Sequence, residues 1–296
     1  MKILYLSPTN RMDYQCDMLF HGLRSLADHH VTDSPRIDHL YTDYGDTSSL
    51  YGRGFTMTKL LPEIPVDRSD IPSRISAKEF DLIVYGSVCR GVPYLQRVTS
   101  LYPREKILFI DGEDQPEIIP ELTRHGLYFK RELTQTIPGV YPIFFAIPVS
   151  KIGTIKPTLK DKVRAHIDPR DRSTYIYTDE RSYYQDYSRS LFAFTMKKAG
   201  WDSLRTLEIM ANGCLPIFLD LKDCPEQTCI QLPKAQLLEV LPYADRDGSF
   251  WDTEEGKQIW KSLWRQVHLR FVTHCTTTWL AQYLLDTQAR ESQVAA

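Results

Sequence analysis

Residues 191–221, LFAFTMKKAGWDSLRTLEIMANGCLPIFLDL, run in the order strand, polar loop, short helix, strand. Residues 191–195 form one apolar run of strand type, and 215–219 form another, bounded by Gly213 and Asp220. Between them Leu204, Leu207 and Ala211 recur at helical spacing, while Arg205, Glu208 and Asn212 share the opposite face. Gly213 then supplies a left-handed C-cap. Two strands joined through one helix are the crossover of a parallel sheet, which places the chain among α/β folds. Gly200, Trp201, Asp202 and Ser203 form the turn into the helix, where backbone N–H groups are free and the helix dipole is positive. Lys197, Lys198 and Arg205 surround that point, so the turn suits a phosphate. The plainer alternative is a capped crossover helix with a solvated charged face.

The same alternation runs outward from this segment. Residues 2–7, KILYLS, form the apolar opening of a doubly wound sheet, followed by a polar turn and a helix over residues 14–26. Residues 40–76 are rich in Tyr, Ser, Gly, Asp and Pro and suggest an insertion on the rim of a cleft. Strands are expected at 80–87 and 106–114, and helices at 94–102 and 117–125. Apolar pieces over 128–147 are broken by Pro138, Gly139, Pro142 and Pro148, which puts a domain boundary at 148/149. The second half contains a helix over 182–190, the segment above, and helices over 250–275 and 277–290 carrying Trp260, Trp264, Trp279 and Tyr283 on apolar faces. It is too short for a full six-stranded repeat. The expected architecture is therefore two Rossmann-like domains, residues 1–148 and 149–296, facing a cleft, the second trimmed and closed by C-terminal helices.

With 296 residues, 42% of them hydrophobic, the chain can bury a sizeable core. A formal net charge of −2 and a sequence pI of about 6.5 argue against an undirected grip on nucleic acid or an anionic membrane. Basic residues nevertheless outnumber acidic ones between Lys156 and Arg205. The six scattered cysteines follow no secretory leader, and reduced thiols in the cytoplasm are the expectation. Cys224, Cys229, His268, His274 and Cys275 match no common zinc spacing. No apolar run approaches the roughly 20 residues that cross a bilayer.

The order G-W-D-S-L-R-x-x-E-x-x-x-x-G-C-L-P-I-F resembles the nucleotide-binding segment of exostosin-like and related GT-B glycosyltransferases, over roughly residues 175–221. The resemblance implies that Ser203 and Arg205 meet the donor diphosphate and that Glu208 holds the ribose hydroxyls. Many retaining members carry a second acid eight positions before that glutamate. Here the position is Gly200, and an inverting transfer is the expectation. The opening YQCDMLFHGLRSL is also similar to that of bacterial and phage glycosyltransferases.

Sugar transfer needs a neutralised leaving diphosphate, a hold on the nucleotide and a base for the acceptor hydroxyl if configuration inverts. Lysine, arginine and a helix N-terminus can do the first without metal, and Lys197, Lys198, Ser203 and Arg205 are the candidates, with Trp201 in the same turn. Lys130 and Arg131 either reach the anion from across the cleft or form a surface ion pair with Glu132. Tyr183, Tyr184 and Tyr187 either stack on a base or sugar or join the core, and Tyr184 is the donor-site candidate. Asp13, after the first strand, is helix cap or general base. Asp17 ranks second, four residues before His21. The expected substrate is a UDP- or GDP-linked sugar, with no metal or cofactor, moved as a hexosyl or pentosyl group to a glycan, protein or modified nucleic acid. Two rivals are a single-sheet GT-A enzyme whose Asp111, Glu113 and Asp114 hold a divalent cation, and a non-catalytic nucleotide or carbohydrate binder. No G-x-G-x-x-G follows the first strand, which disfavours a dehydrogenase or methyltransferase.

Overall fold

The computed structural model describes residues 1–7, 11–153 and 160–295. Pro8, Thr9 and Asn10 of the first turn, and Lys156, lie outside them. Six parallel strands, β1 (Lys2–Leu6), β2 (His30–Ser34), β3 (Leu82–Tyr85), β4 (Ile107–Asp111), β5 (Leu127–Lys130) and β6 (Val140–Pro142), form one sheet in the order β2-β1-β3-β4-β5-β6. Every residue of β3, β4 and β5 is buried. Their continuous apolar runs follow from cover on both faces, in part from α1 (Tyr14–Arg24), α2 (Ile71–Ser76), α3 (Leu95–Leu101) and α4 (Pro120–Thr123). The strand order reverses between β1 and β3, which opens a crevice at their carboxyl ends.

A second parallel sheet, β7 (Lys162–Arg164), β8 (Ser190–Thr195) and β9 (Leu215–Phe218), has only three strands. It carries α5 (Glu180–Arg189), α6 (Leu204–Ala211), α7 (Lys234–Val240), α8 (Gly248–Asp252) and α9 (Glu254–His274), and α10 (Thr277–Ala295) ends the described chain. Helix α6 is the expected crossover. Its end is a Schellman motif, with Gly213 at φ +65, its N–H donating to Met210 C=O and Cys214 N–H donating to Ile209 C=O. The chain is thus α/β, with two Rossmann-like sheets and a trimmed second half.

One continuous apolar core joins the two sheets, from Ile3 and Leu19 through Phe144 to Phe192, Leu207 and Leu263. Helix α10 turns back and packs on α1 of the first half. Trp279 and Tyr283 enclose the fully buried Phe144 at ring distances of 5.1 and 5.3 Å, and Tyr283 Oη donates to Pro142 C=O at 2.9 Å. The crossover between the halves is also stitched by Ile147, which exchanges backbone hydrogen bonds with Cys275 and Thr277.

Several elements depart from the sequence expectations. The broken apolar pieces after residue 127 are strands β5 and β6, and β6 tolerates Pro142 because it is the edge of the sheet. The helix expected over 250–275 is interrupted at Thr253, whose hydroxyl accepts from Gly256 N–H and caps α9. The helix expected over 117–125 shrinks to one turn at Pro120–Thr123. Residues 40–76 are mostly irregular as expected but end in α2.

Replacing Phe144 by Ala should empty the socket that holds α10. A loss of about 3–5 kcal/mol in urea unfolding is expected, and a loss below about 1 kcal/mol would show that α10 does not depend on this contact.

Candidate functional site

A cleft of about 900 Å³ lies between the sheets. Its first wall comes from residues 11–15, 49–53, Arg90 and 112–114, and its second from Tyr175, Tyr183, residues 198–200 and 202–205, and Glu208. Residues 11–15, Arg90, 112–114 and 198–205 follow the carboxyl ends of β1, β3, β4 and β8, where doubly wound sheets place ligands.

The amino end of α6 opens into this cleft. Ser203 is its N-cap and makes no side-chain capping bond, and of the first-turn amides Thr206 N–H donates to Ser203 C=O at 3.1 Å. Arg205, in that turn, lies with its guanidinium 5.0 Å from the centre of the Tyr175 ring, and its Nη1 is buried without a hydrogen-bond partner among the described residues. A buried guanidinium nitrogen with no partner among the described residues, at the amino end of a helix, suits an anion. Lys198 lines the same wall, donates to Pro169 C=O, and has its ammonium pushed below the ordinary lysine range by partial burial and by the charges of Arg205 and Arg172. Lys197 is exposed outside the cleft lining, with Nζ 5.0 Å from the Trp201 ring, and Trp201 itself is buried behind the turn.

Glu208, one turn further along α6, is 5% exposed, and burial pushes its carboxyl up. Its Oε1 accepts from Thr56 Oγ1 and its Oε2 from Tyr183 Oη at 2.7 Å. Two hydroxyls therefore already occupy the two oxygens, in the manner a sugar diol would. Thr56 reaches across from the rim segment with φ +68, an uncommon value for a β-branched residue. It also donates its N–H to Glu180 at 2.6 Å and shares a hydrogen bond with Tyr184 Oη at 2.6 Å. Tyr184 thus supports the rim loop and is not itself part of the cleft wall.

Asp13 sits at the β1/β3 reversal. Its Oδ1 accepts from Cys16 N–H and caps α1, while Oδ2 accepts from Ser87 Oγ at 2.7 Å and from Arg90 Nε at 2.9 Å. With its side chain 14% exposed it borders the cleft as well as capping the helix. Asp17 does not reach the cleft. Its side chain is 1% exposed and accepts from Asp13 N–H and bonds His39 Nε2 at 2.8 Å, because the chain after β2 returns over this face of α1. His21 bonds Thr277 Oγ1 at 2.9 Å instead of pairing with Asp17.

Lys130 departs from both expectations, whereas Arg131 lines the cleft and pairs with Glu132, in a buried pair instead of a surface one. Lys130 is fully buried and pairs with Asp111 at 2.8 Å, away from the cleft lining. Arg131 is 2% exposed and donates to Gly112 C=O, Glu132, Asp202 C=O and Asp114. Glu132 in turn accepts from the N–H groups of Trp201 and Asp202, at 3.0 and 3.1 Å. This pair, at the end of β5, holds the turn that presents α6. At Gly200 a side-chain carbon would lie 2.5 Å from Glu132 Oε1, so the glycine allows the carboxylate its approach. Two of the three acids proposed for a cation are engaged in the same way: Asp111 also accepts from Tyr128 Oη, and Asp114 from Arg131. Two separate sheets overturn the single-sheet alternative. Among the described residues, no group of three or more His, Cys, Asp or Glu is placed to hold a metal ion, and no helix is long and apolar enough to cross a membrane.

Tyr175, Thr56, Ser87 and Arg90 were not singled out from the sequence as site residues. Each acts through a partner at least 25 residues away, and no local spacing marks them.

No family model and no curated protein matches the sequence. Among solved structures, the chain is similar to the crystal structure of Anabaena Alr3699/HepE in complex with UDP-glucose, at 9% identity and a TM-score of 0.48 over 98% of this chain and 100% of that one. It is similarly related to the same protein in complex with UDP and glucose, at 10% identity and a TM-score of 0.49 over the same shares. What the cleft of this chain can bind follows from its own residues.

Besides Glu208, burial raises the carboxyls of Asp202, to about 7, and Asp17, to about 6, with Arg131 and His39 respectively opposing the shift. An unfolded aspartate titrates near pH 3.9. Between about pH 4 and pH 7 the folded chain therefore binds more protons than the unfolded one, and its stability falls as pH rises through that window. Asp202→Asn keeps an acceptor for Phe145 N–H and removes one titration. The drop in urea midpoint from about pH 5 to about pH 7.5 should shrink in this variant, and an unchanged drop would show that Asp202 is already ionised at the lower pH.

Proposed function

We infer that this protein is a GT-B glycosyltransferase that moves a sugar from a nucleoside-diphosphate donor to an acceptor hydroxyl with inversion and without metal. The observation that carries this reading is the buried, unpartnered Arg205 Nη1 at the open amino end of α6. Residues 149–296 supply the donor side and residues 1–148 the acceptor side. The donor diphosphate lies against the first-turn amides of α6, Ser203 and Arg205, with Lys198 adding charge. The ribose diol takes the place of Thr56 on Glu208, which already accepts from hydroxyls. Tyr175, beside Arg205, offers a ring for the base or sugar. Six free thiols fit a reducing cytoplasm.

Asp13 is the carboxylate that borders the acceptor side. In the transfer it takes the acceptor's hydroxyl proton as that oxygen bonds the anomeric carbon. The bond from that carbon to the diphosphate breaks, and the departing charge passes to Arg205 and α6. The engagement of both Asp13 oxygens favours the second reading, a nucleotide-sugar binder in which Asp13 is only a cap.

Two variants test the proposal. Arg205→Ala removes a charge-assisted contact, and calorimetric UDP or GDP affinity should fall roughly 10- to 100-fold; unchanged affinity would place the diphosphate elsewhere. Asp13→Asn keeps much of the cap, so turnover on a nucleotide-sugar panel should fall by roughly 10² with donor affinity and melting temperature little altered. A near-normal rate, or a product that keeps the donor's anomeric configuration, would make Asp13 a cap and the inverting mechanism wrong.

A further inference from the structure

A second cavity, of about 360 Å³, lies at the other end of the second sheet. Lys160 and Lys162 line it at the start of β7, and Leu191 at the start of β8, whereas the turn holding Lys198 and Arg205 follows the carboxyl end of β8. The rest of the wall comes from α8 and α9: Trp251, Asp252, Lys257, Trp260 and Lys261. Trp251, Trp260, Leu191 and Val163 supply apolar lining, and four lysines line the same cavity.

The charges do not cancel inside the cavity. Asp161 is taken by Arg189 outside the lining, Lys162 pairs with Asp186, and Lys257 pairs with Glu254 at 3.1 Å. Lys160 and Lys261 have no acidic partner within ion-pair distance among the described residues, and Asp252 is the one lining acid without such a pair. Lys160 is the more telling. Its Nζ reaches only the carbonyls of Tyr187 at 3.3 Å and Asn212 at 3.5 Å, and stands 5.8 Å from the centre of the Trp260 ring. Burial pushes its ammonium down to about 8, the mark of a cation held without a counter-charge. An anion entering the cavity would supply that counter-charge, and its apolar or ring portion would rest on Trp251 and Trp260.

We propose that this cavity is a second anion site, which takes a phosphate monoester joined to a ring or apolar body, with the phosphate on Lys160 and Lys261 and the body against Trp251 and Trp260. It does not depend on the donor reading of the cleft. The phosphate is carried either by a small soluble ester or by a lipid headgroup, and the two sources are separable by experiment.

The test uses the full chain carrying Arg205→Ala, so that the cleft does not answer for the cavity. Tryptophan fluorescence is followed against phenyl phosphate, with phenol as the uncharged control, and sedimentation is measured with phosphatidylcholine vesicles with and without phosphatidic acid. Phenyl phosphate should bind where phenol does not, and Lys261→Gln and Lys160→Met should each raise its Kd by roughly tenfold or more. Lys261 is only partly buried, so its substitution keeps the test valid should Lys160→Met fail to fold. Lysine-dependent binding of phosphatidic acid vesicles alone would identify the source as a lipid headgroup. Failure of both probes to bind, or binding that Lys261→Gln leaves intact, would overturn the proposal.

Discussion

The carboxylate of Glu132 on the backbone amides of Trp201 and Asp202 is the contact on which the cleft depends. Glu132 follows the last residue of β5 by two positions and so belongs to the first sheet, while the amides belong to the turn that starts α6 in the second. Arg131, from the same corner, closes the arrangement by donating to Glu132 and to Asp202 C=O at 2.9 and 2.8 Å, with its guanidinium 4.4 Å from the centre of the Phe145 ring. A buried ion pair is weak grounds for net stability, since desolvation offsets much of the attraction. Its value here is positional. Both side chains hold backbone groups of the same turn, and that turn fixes where Ser203 and Arg205 stand relative to Asp13 across the cleft.

The same corner explains the division of charge in the molecule. The first-domain acids that could have met a ligand or a cation, Asp111 and Asp114, face Lys130 and Arg131 instead. The carboxyl of Asp202 is buried in the clamp and held up by that burial. Among the described residues, the positive groups of the opposite wall have no such ion pairs: Arg205 keeps an unanswered nitrogen and Lys198 meets a carbonyl. A chain with a formal charge near neutrality thus presents one locally cationic wall, which is what selective binding of an anion requires without general stickiness.

Much of this was legible in residues 191–221, because a crossover helix, its Gly213 cap and its charged entry are all local. The start of α6, with its charged entry, is the part of the cleft such local rules can describe. Glu132 was not legible: in YFKREL it looks like a surface ion pair, and the amides it holds lie 69 and 70 residues further on. Asp17 illustrates the opposite error. Its spacing to His21 is right for a helical pair, but tertiary packing brings His39 to it and burial removes both from the cleft. β5 and β6 were obscured by Pro138 and Pro142, since a strand at the edge of a sheet can carry a proline that a central strand cannot. Thr56 lies in a segment expected only to line a rim, and nothing near it in sequence announces that its hydroxyl ends on Glu208.

The central claim is that the amino end of α6 and Arg205 receive the diphosphate of a nucleotide sugar. A crystal of the protein soaked in turn with UDP and GDP tests it most directly. The account predicts diphosphate density against the first-turn amides of α6, with a phosphate oxygen within hydrogen-bond distance of Arg205 Nη1 and the ribose on Glu208 in place of Thr56. A nucleotide bound elsewhere, with Arg205 still unpartnered and Thr56 still on Glu208, would contradict it.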